Sequence, residues 1–168
     1  MKNIANFLFE AGMLKRTPRS GFQFLGTGAE SVAEHIFRTT YIGYALGRLA
    51  KDIDVDRLIK MCLFHDLPEA RTGDLNYVNK KYVIADERKA AKDLAVTLPF
   101  GNELEELIAE YEEGRTEEAR MARDADQLER EAEPRMPEQN IGHERRGNRE
   151  VKPFVHARAG DDRIERRG

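Results

Sequence analysis

From Val32 to Leu49 the buried-type positions return at steps of three and four: Val32, Ile36, Thr39, Ile42, Leu46 and Leu49. That period belongs to an α-helix with one core-facing stripe, and a run this long commits its part of the chain to a core helix ending near Lys51. Its start is marked as well. Ser31-Val32-Ala33-Glu34 has the capping-box pattern, in which the serine oxygen accepts an early backbone N–H and the glutamate reaches back to the serine N–H. His35 therefore falls in the first helical turn.

Other segments read in the same period. Leu8, Ala11 and Leu14 line one face of a first short helix that stops near Pro18, because proline disfavours helical geometry in the residue before it. A loop through Gly21, Gly26 and Gly28 follows. Asp54 caps a helix that carries Leu58, Ile59, Cys62 and Leu63 towards His65 and Asp66. Residues 67–81, with Pro68 and Gly73, predict a short helical turn and then a loop, and a further helix is expected over Val83 to Leu98. Asn102 begins another, with Leu104, Leu107, Ile108 and Tyr111 on one face and Gly114 as its stop. Thr116 caps a last helix through Glu129. No stretch alternates apolar and polar residues between hairpin turns, and no strand-helix rhythm is present. The expected fold is all-α, a compact bundle of about five to six helices spanning residues 1–129, followed by an irregular Arg-rich tail over 130–168.

Charge and cysteine content exclude several classes of function. The 28 Lys and Arg against 31 Asp and Glu give a formal charge of -3, unlike the basic footprint of a nucleic-acid binder. Cys62, the only cysteine, excludes an internal disulfide and a Cys-rich zinc module, and its apolar neighbours predict burial. No segment approaches the roughly 20 apolar residues of a membrane span, and the first ten residues meet a charge before a signal-like run develops. A cytoplasmic location without a membrane partner is the expectation.

The chemistry-bearing residues are few. His35 and His65 fall in predicted helices, and Asp66 follows His65 directly. Imidazole nitrogen and carboxylate oxygen suit first-row divalent ions, but neighbouring helical residues splay about 100° apart. If both ligate one ion, His65 and Asp66 sit at a helix end, which Pro68 also suggests. A second carboxylate comes from Asp124 or Asp126; the latter shares a helical stripe with Ala119 and Ala122. Taken alone, each histidine reads as a hydrogen-bonded core residue before it reads as a ligand, and His143 and His156 keep that reading.

His35, then His65-Asp66, then Asp126 form an ordered His, His-Asp, Asp series that resembles the HD-domain phosphohydrolases. The closer resemblance is to the HD-domain 5′-deoxynucleotidases. It is carried by Leu14-Lys15-Arg16-Thr17-Pro18-Arg19, Glu30-Ser31-Val32-Ala33-Glu34-His35, His65-Asp66-Leu67-Pro68-Glu69-Ala70 and Thr72-Gly73-Asp74. The resemblance implies one divalent ion (Co, Mn, Fe, Zn or Mg) held by His35, His65, Asp66 and Asp126, with positions left for water and a phosphate oxygen. It favours Asp126 over Asp124 and makes Glu69 the acid/base; four residues after His65, Glu69 lies on the same side of a continuing turn. A carboxylate after Pro68 also suits a helix dipole. Arg16 is implied as the fork that orients the phosphate, with Lys15 and Arg19 as alternatives. Asp74, Leu75, Asn76 and Tyr77 are implied to contact the nucleotide along with Asp66 and Asp126, although this composition also makes an ordinary Asp-assisted turn.

The implied activity is hydrolysis of deoxyribonucleoside 5′-monophosphates by a homodimer. The alternatives are another small phosphate ester or cyclic nucleotide, or a catalytically silent nucleotide-binding module. Thr17 departs from the pattern, since a related enzyme carries an aromatic residue there, near the deoxyribose. The resemblance stops after Glu129, where relatives continue with an amphipathic helix, so the tail reads as replaced, as by a frameshift, with an authentic divergent interaction tail as the alternative.

Overall fold

A computed structural model of the chain describes residues 2–22 and 29–132. The expected loop glycines Gly26 and Gly28, His143, His156 and most of the expected tail lie outside the described residues. Seven α-helices are present among the described residues, six of them longer than two turns: α1 (Lys2–Met13), α2 (Val32–Leu49), α3 (Val55–Phe64), the single turn α4 (Glu69–Thr72), α5 (Glu87–Ala95), α6 (Gly101–Glu113) and α7 (Glu117–Ala132). A 3₁₀ turn covers Asn79–Lys81, and the one β-type contact among them is an isolated bridge between Pro18 and Ser31. The all-α reading holds.

Local chemistry sets most boundaries where expected. Ser31 Oγ accepts from Glu34 N at 3.2 Å while Glu34 Oε2 accepts from Ser31 N at 2.7 Å, so the capping box is closed in both directions. Asp54 Oδ1 accepts from Arg57 N at 3.0 Å, and Thr116 Oγ1 accepts from Ala119 N at 3.2 Å. Gly114 ends α6 at φ 63°, a left-handed conformation that glycine adopts without the Cβ penalty.

Three boundaries differ from expectation. The helix expected from Val83 starts at Glu87 and ends at Ala95, because Asp86 Oδ1 takes the Lys89 N–H at 2.9 Å and caps it late. Asn102 does not cap α6, which begins at Gly101 behind Phe100 with no side-chain cap. A Cβ on Gly101 would stand 1.9 Å from the Ala95 carbonyl oxygen, so a side chain is excluded where α6 starts against the end of α5. Finally, α7 runs past Glu129 to Ala132, which keeps Arg130 on the helix.

The core has two parts. Leu14, Val32, Ile36, Leu67, Leu94 and Leu104 form one; Leu58, Met61, Cys62, Leu107, Ala119 and Ala122 form the other, between α3, α6 and α7. Fully burying each large aliphatic side chain stabilises the fold by about 1.5–3 kcal/mol. The small residues Ala119, Ala122 and Ala125 let α7 lie close to its neighbours, bringing Asp126 to the inner face next to α2. No helix among the described residues is long and apolar enough to cross a membrane.

Candidate metal centre

Three helices deliver the site. His35 stands in the first turn of α2, held there by the capping box one residue earlier, and is fully buried. His65 caps the end of α3, where the helical ladder gives way to a tighter turn closed by Leu67 N to Phe64 O and the chain runs through Leu67 and Pro68 into α4. Asp126 comes from the inner face of α7, whereas Asp124 on the same helix is exposed.

Ligand atoms of His35, His65 and Asp126 all lie within 4.8 Å of one another. His35 Nε2 is 3.2 Å from Asp126 Oδ1 and 3.4 Å from Asp66 Oδ2, which is itself 3.3 Å from His65 Nε2. Two atoms each about 2.1 Å from one first-row ion and roughly 100° apart lie about 3.2 Å from each other. The spacing therefore fits a shared cation.

The protonation pattern fits as well. His65 Nδ1 is 2.9 Å from the Cys62 carbonyl oxygen, which only accepts, so Nδ1 carries a proton and Nε2 is the nitrogen turned to the site. Both Nε2 atoms, of His35 and of His65, are buried without a hydrogen-bond partner among the described residues. A buried polar atom left so is costly, and a cation between two such lone pairs and two carboxylates resolves it.

The neighbouring charges support the carboxylates in their ionised form. Burial pulls the Asp126 carboxyl up, but His35, His65 and Arg130 outweigh it and hold it below the ordinary range. Asp66 is also lowered: burial opposes this, and His65, His35 and Arg19 prevail. Asp126 Oδ2 accepts from Tyr111 Oη at 3.0 Å and from Arg130 Nη2 at 2.8 Å, which leaves Oδ1 for the centre. The Tyr111 hydroxyl is pushed up first by burial and then by Asp126 and Asp66, so it stays a donor.

Glu69 behaves oppositely. It sits at the start of α4 with Oε2 buried and without a hydrogen-bond partner among the described residues. Burial, together with Asp66 and Asp74, pushes its carboxyl up to about 9. Two acidic groups of one site are thus set apart, Asp66 ionised and Glu69 protonated at neutral pH. Cys62, raised to about 12 chiefly by burial, is no nucleophile.

The arginines divide their work in a way the sequence does not reveal. Arg19, half-buried, lies 3.4 Å from Asp74 Oδ2 and 3.8 Å from Asp66 Oδ2, and these carboxylates keep its charge secure against the desolvation that opposes it. Arg16 is exposed. Asp74 also accepts from Ser20 N at 2.8 Å and Ser20 Oγ at 3.1 Å, joining the residue 74 loop to the segment after α1. Asn76 Oδ1 accepts from Val78 N and Asn79 N, both at 2.9 Å, so this side chain builds the turn. Thr17 Oγ1 donates to Met13 O at 3.2 Å, finishing α1. Beside the centre a cavity of about 350 Å³ is lined by Arg19, Lys80 and Arg130 and by the loop Asp74, Leu75, Asn76 and Tyr77.

Two residues here were not singled out from the sequence. Tyr111 served only as an apolar position, and Glu129 only as a helix end. Glu129 is fully buried, and its Oε2 lies 2.6 Å from His35 Nδ1. The available signal was its place three residues after Asp126, on the same helical face.

The chain is similar to known proteins. The HD domain family matches residues 11–149. The 5′-deoxynucleotidase HDDC2 of Dictyostelium discoideum is 33% identical over 141 residues, covering 77% of this chain and 74% of its own. The protein of the same name from Bos taurus is 33% identical over 134 residues, and there the chain spans 64% of the relative's length. Among solved structures, a conserved hypothetical protein from Pyrococcus furiosus superposes with a TM-score of 0.66 at 36% identity, covering 74% of this chain and 76% of that one. A predicted metal-dependent phosphohydrolase from Magnetospirillum magnetotacticum gives 0.64 at 30% identity, covering 76% and 68%. The match takes in α2, α3 and α7, the helices that carry His35, His65 and Asp126, and the chain belongs to the HD-domain family.

Proposed function

We propose that this protein is a metal-dependent phosphomonoester hydrolase that removes the 5′-phosphate of deoxyribonucleoside monophosphates. The observation that carries the reading is the pair of histidine Nε2 atoms that lack a hydrogen-bond partner among the described residues and face two carboxylates, with the buried carboxyl of Glu69 beside Asp66. The names of the relatives supply the substrate class.

His35, His65, Asp66 and Asp126 hold the ion. When bound, a divalent cation polarises a phosphate oxygen and makes a water more acidic. Glu69 keeps its proton in the buried site and gives it to the leaving 5′-oxygen, the group whose developing charge most needs one. Arg16, exposed and making no ion pair among the described residues, has its donors available for the phosphate. Arg19 is already committed to Asp66 and Asp74 and steadies the carboxylate frame. The loop from Asp74 to Tyr77 and the adjoining cavity receive the nucleoside, with Leu75 and Tyr77 offering apolar and aromatic surface.

The protein works as a cytoplasmic homodimer in this reading. An apolar groove of about 790 Å³ along α1 and α2, bordered by Phe37, Tyr41 and Leu63, supplies a surface for pairing. The catalytic domain takes in α7 to its end at Ala132, since Arg130 bonds Asp126, and the Arg-rich sequence after it is a tail of separate composition.

Phosphate release from deoxyribo- and ribonucleoside 5′-monophosphates, with Co²⁺, Mn²⁺ or Mg²⁺ and with chelator, tests the proposal. Metal-dependent release that favours deoxyribonucleotides and collapses in Glu69→Ala is the expected result. Metal binding with no release from any monophosphate would instead indicate another ester or a silent binding module.

A further inference from the structure

The two histidines are oriented by different means. His65 leans on the Cys62 carbonyl of its own helix. His35, in the first turn of α2, directs Nδ1 across to α7, where Glu129 Oε2 receives it at 2.6 Å. Glu129 is fully buried, and its other oxygen lies 3.1 Å from Nη1 of Arg38, whose side chain reaches in from a 44% exposed position one turn further along α2. The carboxylate is thus held on one oxygen by the His35 ring and on the other by an ion pair with Arg38, where no hydrogen bond forms among the described residues. It serves no helix cap and lines no part of the cavity beside the centre.

We propose that Glu129 is a positioning residue of the metal centre. It accepts the Nδ1–H of His35, which fixes the ring's orientation and leaves Nε2 as the nitrogen that faces Asp66 and Asp126, and a carboxylate on Nδ1 makes Nε2 a stronger donor to an ion. Arg38 secures Glu129 from behind, so the chain is Arg38, Glu129, His35 and then the ion. Helix α7 thus contributes twice, with Asp126 at the centre and Glu129 behind the opposing ligand three residues later. This inference rests on the reading of the centre as a metal site.

The test is Co²⁺ titration of the parent, Glu129→Gln, Glu129→Ala, Arg38→Ala and a control, Asp124→Asn, on the exposed side of α7, followed by visible absorption of the bound ion. Histidine ¹⁵N spectra of the metal-free proteins report the tautomers. Expected are roughly 10- to 100-fold weaker binding in both Glu129 variants, a smaller loss in Arg38→Ala and none in the control. The Co²⁺ band should change in Glu129→Gln while far-UV circular dichroism does not, and in Glu129→Ala the His35 signals should leave the Nδ1–H pattern while those of His65 keep it. If Glu129→Ala does not fold, the isosteric Gln variant decides. Affinity within threefold of the parent in a folded Glu129→Gln protein, with an unaltered band, would overturn the proposal and leave the metal site standing. A folded parent that takes up no Co²⁺ would overturn the metal reading, and this inference with it.

Discussion

Gly43 offers a sharp test of how closely the helices behind the centre are packed. It lies on the buried face of α2, and a methyl group there would stand 2.6 Å from Cys62 Sγ, 3.7 Å from Cys62 Cβ and 3.8 Å from Ala125 Cβ. Ordinary carbon contacts lie at about 3.5–4.0 Å, so only the thiol is overlapped, by roughly 1 Å. Cys62 is fully buried on the helix that ends in His65. Its sulfur moves by one torsion, so it must change rotamer within the core or the helices must part. Overpacking of this kind costs about 1–3 kcal/mol, while replacing a mid-helix glycine with alanine contributes about 1 kcal/mol. The net expectation for Gly43→Ala is a loss of about 0–2 kcal/mol.

The Cys62→Ala background separates the two contributions. There the remaining neighbours of the new methyl, at 3.7 and 3.8 Å, are ordinary contacts, and Gly43→Ala should stabilise by about 1 kcal/mol. Urea unfolding of the four metal-free proteins yields a coupling energy of about 1–3 kcal/mol. A coupling below about 0.5 kcal/mol would refute the clash, since the two substitutions would then act independently.

Three further outcomes follow from the site. Glu69 has a folded-state pKa raised to about 9 from 4.5, so between these values the unfolded chain ionises while the folded protein keeps the proton, and stability falls with rising pH. Glu69→Gln lacks this dependence; in chelator its melting temperature should gain on the parent's as pH rises from 5 to 9, and a constant difference would contradict the assignment. Tyr111→Phe removes the donor 3.0 Å from Asp126 Oδ2 but leaves Arg130 in place, so urea unfolding should register a loss of about 1 kcal/mol, with Co²⁺ binding weakened but retained. Adding a divalent ion at 100 times its Kd should stabilise the chelated protein by about 2.7 kcal/mol in a thermal melt, and His35→Ala should abolish most of that response.

The sequence by itself determined the helical class and several helix starts, because capping and periodicity are local. Ser31 and Glu34 close their box within one turn, and Asp54 and Thr116 cap their helices without help from distant residues. It also determined which residue types carry the chemistry, through the order of His35, His65-Asp66 and Asp126. Where a boundary depended on a partner, local reading missed it: Gly101 begins α6 because the Ala95 carbonyl leaves no room for a Cβ. Only the tertiary structure decided the roles that depend on what lies opposite. Arg19 rather than Arg16 stands among the carboxylates, Asn76 builds its turn, and Glu129 changes from a helix end to the partner of a histidine 94 positions away. The physical reason is range: caps and helical faces are settled within one or two turns, whereas burial, charge pairing and the direction of a lone pair depend on side chains that folding alone brings together.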